Sequence, residues 1–238
     1  EEDTRFIARV ATDQKKTEDE YAMMLLDLFQ IHKLDGSQIE GAIMCSVVPG
    51  LTTALRRAVK LILGYEPLLV GSGIKTGLNI KMDNPASVGS DLIVAAVAAV
   101  QEHQPPLVIF DMGTANTMVV IDRNGDFIGG MIIPGAILSL EALAEHAAKL
   151  PHVSFEAPKT LIGKNTIDSM KSGIVYSQAM AVDGIIGLVE EELGEPVTVL
   201  ATGGSSRLIT SYCKREMIYD SRLIQKGLLH LYRKNTNQ

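Results

Sequence analysis

The segment Leu107-Val-Ile-Phe-Asp-Met-Gly-Thr-Ala-Asn-Thr-Met-Val-Val-Ile-Asp122 constrains this chain more than any other. A short apolar run ends in Asp111, Gly113 and Thr114 interrupt it, and a β-branched run resumes after Thr117. Asn124-Gly125 is then a strong hairpin signal, because strand-like runs flank it. The predicted order is strand, tight polar turn, strand, turn. At the first turn a carboxylate, a glycine and hydroxyls come together. Glycine lets the backbone approach an anion, a hydroxyl donates to it, and a carboxylate holds the cation that screens its charge. The segment is either an ordinary hairpin with a polar turn or part of a phosphate and cation site. The rest of the chain has to decide.

The 238 residues suit one large or two modest domains, and a hydrophobic fraction of 46% is ample for a packed core. A net charge of −6 argues against a nucleic-acid surface. Charges and glycines cut every apolar run short of the ~18 residues of a membrane span, so no membrane partner is expected. The N-terminus does not read as a signal peptide. Cys45 lies in an apolar run and Cys213 at a polar helix end, which suggests reduced thiols and a cytoplasmic protein. The five histidines show no metal-ligand spacing.

Strands and helices alternate along the chain. Thr4 to Thr12 reads as a strand, and Thr17-Glu-Asp-Glu20 as a capping box ahead of a helix with Tyr21, Met24, Leu25 and Leu28 on one face. Gly41 to Val48 reads as a buried strand closed by Pro49-Gly50, then come a helix over residues 53–63 and a short strand over 67–70. Asn84-Pro85 opens a helix that is nearly all apolar from Leu92 to Val100. Gln104-Pro-Pro106 divides residues 1–104 from residues 105–238. The second part runs from the hairpin through residues 127–135 into a helix over 136–150. A helix over 167–193, a strand ending in Thr202-Gly-Gly204 and closing helices follow. This alternation predicts an α/β fold with ligands at strand C-terminal ends.

Three further positions carry possible chemistry. Asp91, in Val88-Gly-Ser-Asp-Leu92, is either an acidic residue favoured at a helix N-terminus or a carboxylate poised as a general base. Thr202, Gly203 and Gly204 end a strand where a nucleotide could come close to backbone, although many loops begin this way. Thr166 in Gly163-Lys-Asn-Thr166 reads as a helix N-cap. Its spacing is that of the end of a phosphate-binding P-loop, but the upstream glycine and the preceding strand are absent, so that reading is rejected.

In order, Asp111-Met-Gly-Thr-Ala-Asn-Thr117, Gly129-Gly-Met-Ile-Ile-Pro-Gly135, Lys149-Leu-Pro151, Ile162-Gly-Lys-Asn-Thr166, Ser172-Gly-Ile-Val-Tyr176 and Ala201-Thr-Gly-Gly204 resemble the motifs of type III pantothenate kinases. Arg9-Val-Ala-Thr-Asp13, Asp19-Glu-Tyr21, Ser46-Val-Val-Pro49, Thr76-Gly-Leu78, Asp83-Asn-Pro85 and Val88-Gly89 extend the resemblance to nearly the whole chain. It implies the actin-like, sugar-kinase and Hsp70 superfold: two related ribonuclease H-like α/β domains with a nucleotide cleft between them. It also implies a homodimer that uses ATP, Mg2+ and a monovalent cation (K+ or NH4+) to phosphorylate pantothenate at the start of coenzyme A synthesis. By the same resemblance Asp91 is the catalytic base and Asp111 the monovalent-cation ligand. Gly113, Thr114, Thr202, Gly203 and Gly204 contact ATP. Met82, Gly89, Ser90, Asp91, Leu92 and Thr166 face the substrate.

The chain departs from the family pattern in places. The family's opening strand and Asp-x-Gly-Asn-Thr phosphate loop come before the segment that Thr4 to Thr12 resembles. They are expected ahead of this sequence, the other reading being that half the phosphate clamp is lost. Leu92 stands where the family usually has Arg, Met82 where it has Tyr, and Asn116 where it has Thr. An arginine so placed would make a charge-assisted contact to a carboxylate that leucine cannot make. Beside the pantothenate kinase stand two alternatives: a catalytically impaired relative that binds nucleotide or a partner, and a kinase for another small hydroxy compound.

Overall fold

The computed structural model describes residues 4–236. Contacts divide the chain into two units. One holds the chain through Thr76, Gly89–Asp91 and the chain from Leu228 on; the other holds Gly77–Val88 and Leu92–Gly227.

In the first unit, helix α1 (Glu18–Ile31) starts where the capping box places it. The Glu20 N–H donates to the Thr17 hydroxyl, and the Glu20 carboxylate accepts from the Thr17 N–H at 2.8 Å. Each satisfies one of the donors that a helix start leaves open. Tyr21 and Ala22 bury against Ala58 of α2 (Pro49–Leu63), with Met24 and Leu25 beside them. The Tyr21 hydroxyl also donates to the Asp13 carbonyl at 2.6 Å and accepts from the Asp13 N–H, which fixes the approach to the helix.

The strands of this unit are much shorter than their apolar patterns suggest. No strand forms over Thr4 to Thr12, where Ile7 and Val10 are about half exposed, at 51% and 48%. A β-pattern becomes a strand only when a neighbour takes its backbone hydrogen bonds, and among the described residues this segment has none. The segment expected as a strand over 41–48 contracts to β1 (Ile43–Met44), paired in parallel with β2 (Leu68–Leu69). Pro49-Gly50 does not close that strand but opens α2, with proline in the first turn, where its missing N–H costs nothing.

The second unit is built on a five-stranded sheet in the order β5-β4-β3-β6-β7. Its strands are β3 (Leu107–Met112), β4 (Ala115–Ile121), β5 (Phe127–Pro134), β6 (Thr198–Thr202) and β7 (Ile218–Tyr219). The first three form an antiparallel meander, and β6 and β7 add in parallel on the other side of β3. The hairpin expected at Asn124-Gly125 is present, with Gly125 at φ 80° and the Asp122 carboxylate accepting the Asn124 and Asp126 N–H groups.

Both sheet faces are covered. Val108, Phe110, Met112, Met118 and Val120 form one face with side chains of α4 (Ala136–His146) and α5 (Thr166–Leu193). Leu107, Ile109, Val119, Ile121 and Leu200 form the other, beneath the alanines of α3 (Ser90–Glu102) and Leu223 of α7 (Leu223–Thr236). A side chain at Gly227 would strike the Val94 carbonyl, so glycine lets α7 lie close on α3. Asn84-Pro85 opens only a 3₁₀ turn over Pro85–Ser87, and α3 begins after it at Ser90. Helix α6 (Ser206–Thr210) follows the glycines after β6.

Among the described residues α5 alone is long and apolar enough to cross a membrane, contrary to the expectation that charges and glycines would cut every apolar run short. Its glycines are accommodated inside one helix. Its buried side, from Met170 through Ala179, Val182 and Ile186 to Val189, belongs to the core.

Lys226 joins the end of α3 to α7, donating to Glu102 and Asp220 at 2.7 Å each. Burial acts to raise the Asp220 pKa, but the Lys226 and Arg222 hydrogen bonds outweigh it and hold the carboxyl below its ordinary value. Bonds to Asp220 and Glu102 hold the Lys226 ammonium above its own. The carboxylate's contribution is therefore complete above the ordinary aspartate range and lost as pH falls through the lowered value. The ammonium's is complete below the ordinary lysine range and lost as pH rises through the raised one. Lys226→Ala should cost about 0.5–1 kcal/mol near neutral pH. In urea denaturation the gap to the parent should close as pH drops below the carboxylate range.

Candidate functional site

Asp111 is the next-to-last residue of β3. It pairs with Thr117 on β4 and with Thr202 on β6. Side chains of directly paired residues share a face, and this is the face that carries α3. One carboxylate is thus set between two hydroxyls at the end of the sheet where β3 and β6 terminate. In the sequence Thr117 is one of the hydroxyls near Asp111, but it is not among the residues singled out there for ATP or the cation. The pairing register is the signal that would have found it.

Two glycine turns complete this end. The Gly113 N–H closes the β3–β4 turn on the Ala115 carbonyl, and Thr114 at its tip is exposed. Gly203, at φ 96°, lies so close to β3 that an added side chain would strike the Asp111 carboxylate and the Met112 backbone. The Ser205 N–H donates to the Met112 carbonyl at 3.0 Å, and the Ser206 hydroxyl to the Gly203 carbonyl at 2.6 Å. Gly204 faces open space. Of the residues expected to meet ATP and the cation, Asp111, Gly113, Thr114, Thr202, Gly203 and Gly204 therefore gather at one end of the sheet.

The donors here are oxygens, which suits a hard cation such as Mg2+ or K+. Among the described residues, no group of three or more His, Cys, Asp or Glu side chains comes together anywhere. A cation at Asp111 would thus share its coordination with hydroxyls, water and the phosphates of a bound nucleotide. That is the usual arrangement where a metal is held largely by the substrate.

Asp91 lies in the first turn of α3 and belongs, with Gly89 and Ser90, to the first unit. The Cys45 thiol, one residue past β1, donates to the Ser90 hydroxyl at 3.2 Å. Burial raises the Cys45 pKa, the Ser90 bond lowers it and the Asp91 charge raises it again; the net shift is upward, so the sulfur stays a protonated donor. Met82 and Leu92 are placed differently from open polar contacts. Both are half-buried and pack, with Val88, on the apolar cluster under α3. Met82 is brought there because Asn79–Lys81 runs along the start of β5. The Phe127 N–H bonds the Asn79 carbonyl and the Lys81 N–H bonds the Phe127 carbonyl.

Thr166 is the first residue of α5 rather than its N-cap. The cap is Asn165, whose side chain accepts the Asp168 N–H at 2.9 Å. Asparagine takes the capping role and leaves the exposed Thr166 to line a cleft of about 690 Å³. Leu143, Leu150, Lys164, Ser169 and Met170 line the cleft with it. The Ser172 hydroxyl, donating to the Leu161 carbonyl, holds the loop that forms its rim.

A mixed sheet of this order, covered on both faces and with a carboxylate, hydroxyls and glycine turns at its strand ends, defines a protein of the α/β class. Within that class, residues 2–187 match the sequence profile of type III pantothenate kinases. A type III pantothenate kinase of Bacillus cytotoxicus is 44% identical over 227 residues, which are 95% of this chain and 87% of that protein. One of an Exiguobacterium species is 43% identical, over 95% of this chain and 89% of its own length. The chain belongs to the type III pantothenate kinase family.

Gly203→Ala should cost about 2–4 kcal/mol, because a left-handed backbone and a collision with β3 act together. Gly204→Ala, with open space and no such backbone demand, should stay within about 1 kcal/mol of the parent. Urea titration of both variants separates the two positions, and equal losses would contradict the packing described.

Proposed function

We propose that the protein transfers the γ-phosphate of ATP to the 4′-hydroxyl of pantothenate, the first step of coenzyme A biosynthesis. Membership of the family over nearly its whole length is the observation that carries this reading. In the reaction the Asp91 carboxylate takes the hydroxyl proton as the oxygen attacks phosphorus. The new O–P bond forms while the bond to ADP breaks, and ADP leaves with the electron pair. Gly113, Thr114, Thr202, Gly203 and Gly204 hold the nucleotide, and Asp111 holds a monovalent cation, K+ or NH4+. With Mg2+, that ion supplies the neutralisation of phosphate charge on which such transfers depend. Gly89, Ser90 and Thr166 contact the acceptor.

The rest of the proposal follows the family pattern. The duplicated actin-like domains divide at residues 1–104 and 105–238. The protein works as a homodimer, which fits the apolar side chains left exposed on the second unit: Ile132 at 73% and Ile162 at 79%, with Met131, Ile137, Leu143 and Leu161 also exposed. Two free thiols suit the reducing cytoplasm.

Met82 and Leu92 favour a second reading within the same chemistry. Both turn apolar surface toward the cluster under α3. A site that lacks one charged contact binds a carboxylate more weakly by ~1.5–3 kcal/mol, about ten- to a hundredfold. The enzyme would then hold pantothenate loosely or prefer another small hydroxy compound.

A coupled assay for ADP release by the full-length protein, with and without pantothenate and K+ or NH4+, tests the main reading; no pantothenate-dependent release would refute it. Asp91→Asn should lower turnover by roughly 10²-fold or more while ATP binding stays close to the parent's. Leu92→Arg should lower the KM for pantothenate. An unchanged or higher KM would mean that Leu92 reflects another binding mode.

A further inference from the structure

The Gly113–Thr114 turn is backed by an amide pair, one buried and one half-buried, that the mechanism above does not use. Asn116, the second residue of β4, is 2% exposed, and its Nδ2 donates to Oε1 of Gln178 on α5 at 2.6 Å. The Gln178 Nε2 in turn donates to the carbonyl of Pro134, the last residue of β5. The remaining Asn116 oxygen is buried without a hydrogen-bond partner. Such an atom costs stability, so packing alone does not account for an amide here.

What the pair holds is the frame of the turn. Ala115, which closes the turn, pairs directly with Pro134. The next residue, Gly135, donates its N–H to the Thr114 carbonyl at 2.9 Å. It is also pressed so close that a side chain there would strike the Gly113 and Thr114 carbonyls. The β5–α4 junction is therefore the surface on which the turn rests. Strand ends fray unless something fixes them, and Gln178 fixes both by bonding Asn116 on one strand and Pro134 on the other. Gln178 is anchored in turn by α5, whose neighbouring Ala179 is fully buried.

From this geometry we infer that Asn116 and Gln178 are positioning residues for the nucleotide: they set the height and tilt of the Gly113–Thr114 turn through Pro134 and Gly135. The inference rests on the nucleotide-binding role proposed for that turn. It separates affinity for ATP from affinity for the acceptor, because neither amide is among the residues proposed to meet the acceptor.

The test compares the parent with Gln178→Met and with the double variant Asn116→Val/Gln178→Met. The readouts are Tm, ATP binding by calorimetry, and the KM for ATP and for pantothenate. Gln178→Met should weaken ATP binding by about three- to tenfold, the scale of one lost hydrogen bond, and leave the acceptor KM within about twofold. It should also lower Tm, because Asn116 is left wholly unpaired. Removing both amides should restore most of the Tm, since exchanging both partners for apolar groups is nearly neutral, yet ATP affinity should stay low. If the double variant recovers Tm and ATP affinity together, or if Gln178→Met binds ATP like the parent, the pair is merely structural and the inference falls. A parent that binds ATP but does not phosphorylate pantothenate would refute the acceptor while the calorimetry still decides this inference. A parent that binds no ATP would overturn both.

Discussion

Asp111 sits near the end of a strand that has a hydrogen-bonded neighbour on each side, and much of the second unit is arranged around it. A carboxylate in the middle of a sheet is expensive to bury without polar neighbours. Register supplies them, since the residues opposite it are threonines on both β4 and β6. Space is the other requirement. Gly203 leaves room for the carboxylate, and its left-handed backbone turns the chain away after β6. Exchanging either threonine for a large apolar residue, or the glycine for any other, would crowd the carboxylate at this end of the sheet.

At the same end of the sheet, the proposed nucleotide-binding role is divided between backbone and side chains. Glycines at 113, 135 and 203 bring main chain close to main chain, and hydroxyls fill the remaining polar needs. Little of the binding chemistry proposed here depends on long, mobile side chains. That suits phosphoryl transfer, where positioning and charge neutralisation count for more than covalent participation. In the first unit, Asp91 rides on the first turn of a helix, and its neighbour Ser90 accepts a hydrogen bond from the Cys45 thiol just past β1.

Legibility followed the range of the interaction. The Thr17–Glu20 capping box, the turn at Gly125, the long helix from Thr166 and the strand into Thr202 were readable because each depends on residues a few positions apart. The segment Thr4 to Thr12 was misread because a strand requires a partner, and apolar alternation says nothing about whether one is present. Pro49-Gly50 was misread for a related reason. The pair is as good a helix start as a strand stop, and only the Ser46, Val48 and Thr52 hydrogen bonds around the start of α2 decide between them.

The sequence by itself determined the family, the α/β class and the residue types of the site, because ordered short motifs survive as local patterns of glycine, hydroxyl and carboxylate. Tertiary structure decided what those residues face. It set Thr117 beside Asp111, gave the α5 cap to Asn165 so that Thr166 opens on a cleft, and laid Met82 and Leu92 on an apolar cluster. It also joined Asn116 to Gln178, 62 residues away in the chain. Strand register, helix packing and buried polar pairs depend on residues far apart in sequence. Their geometry is fixed only when the core closes, and no local pattern carries it.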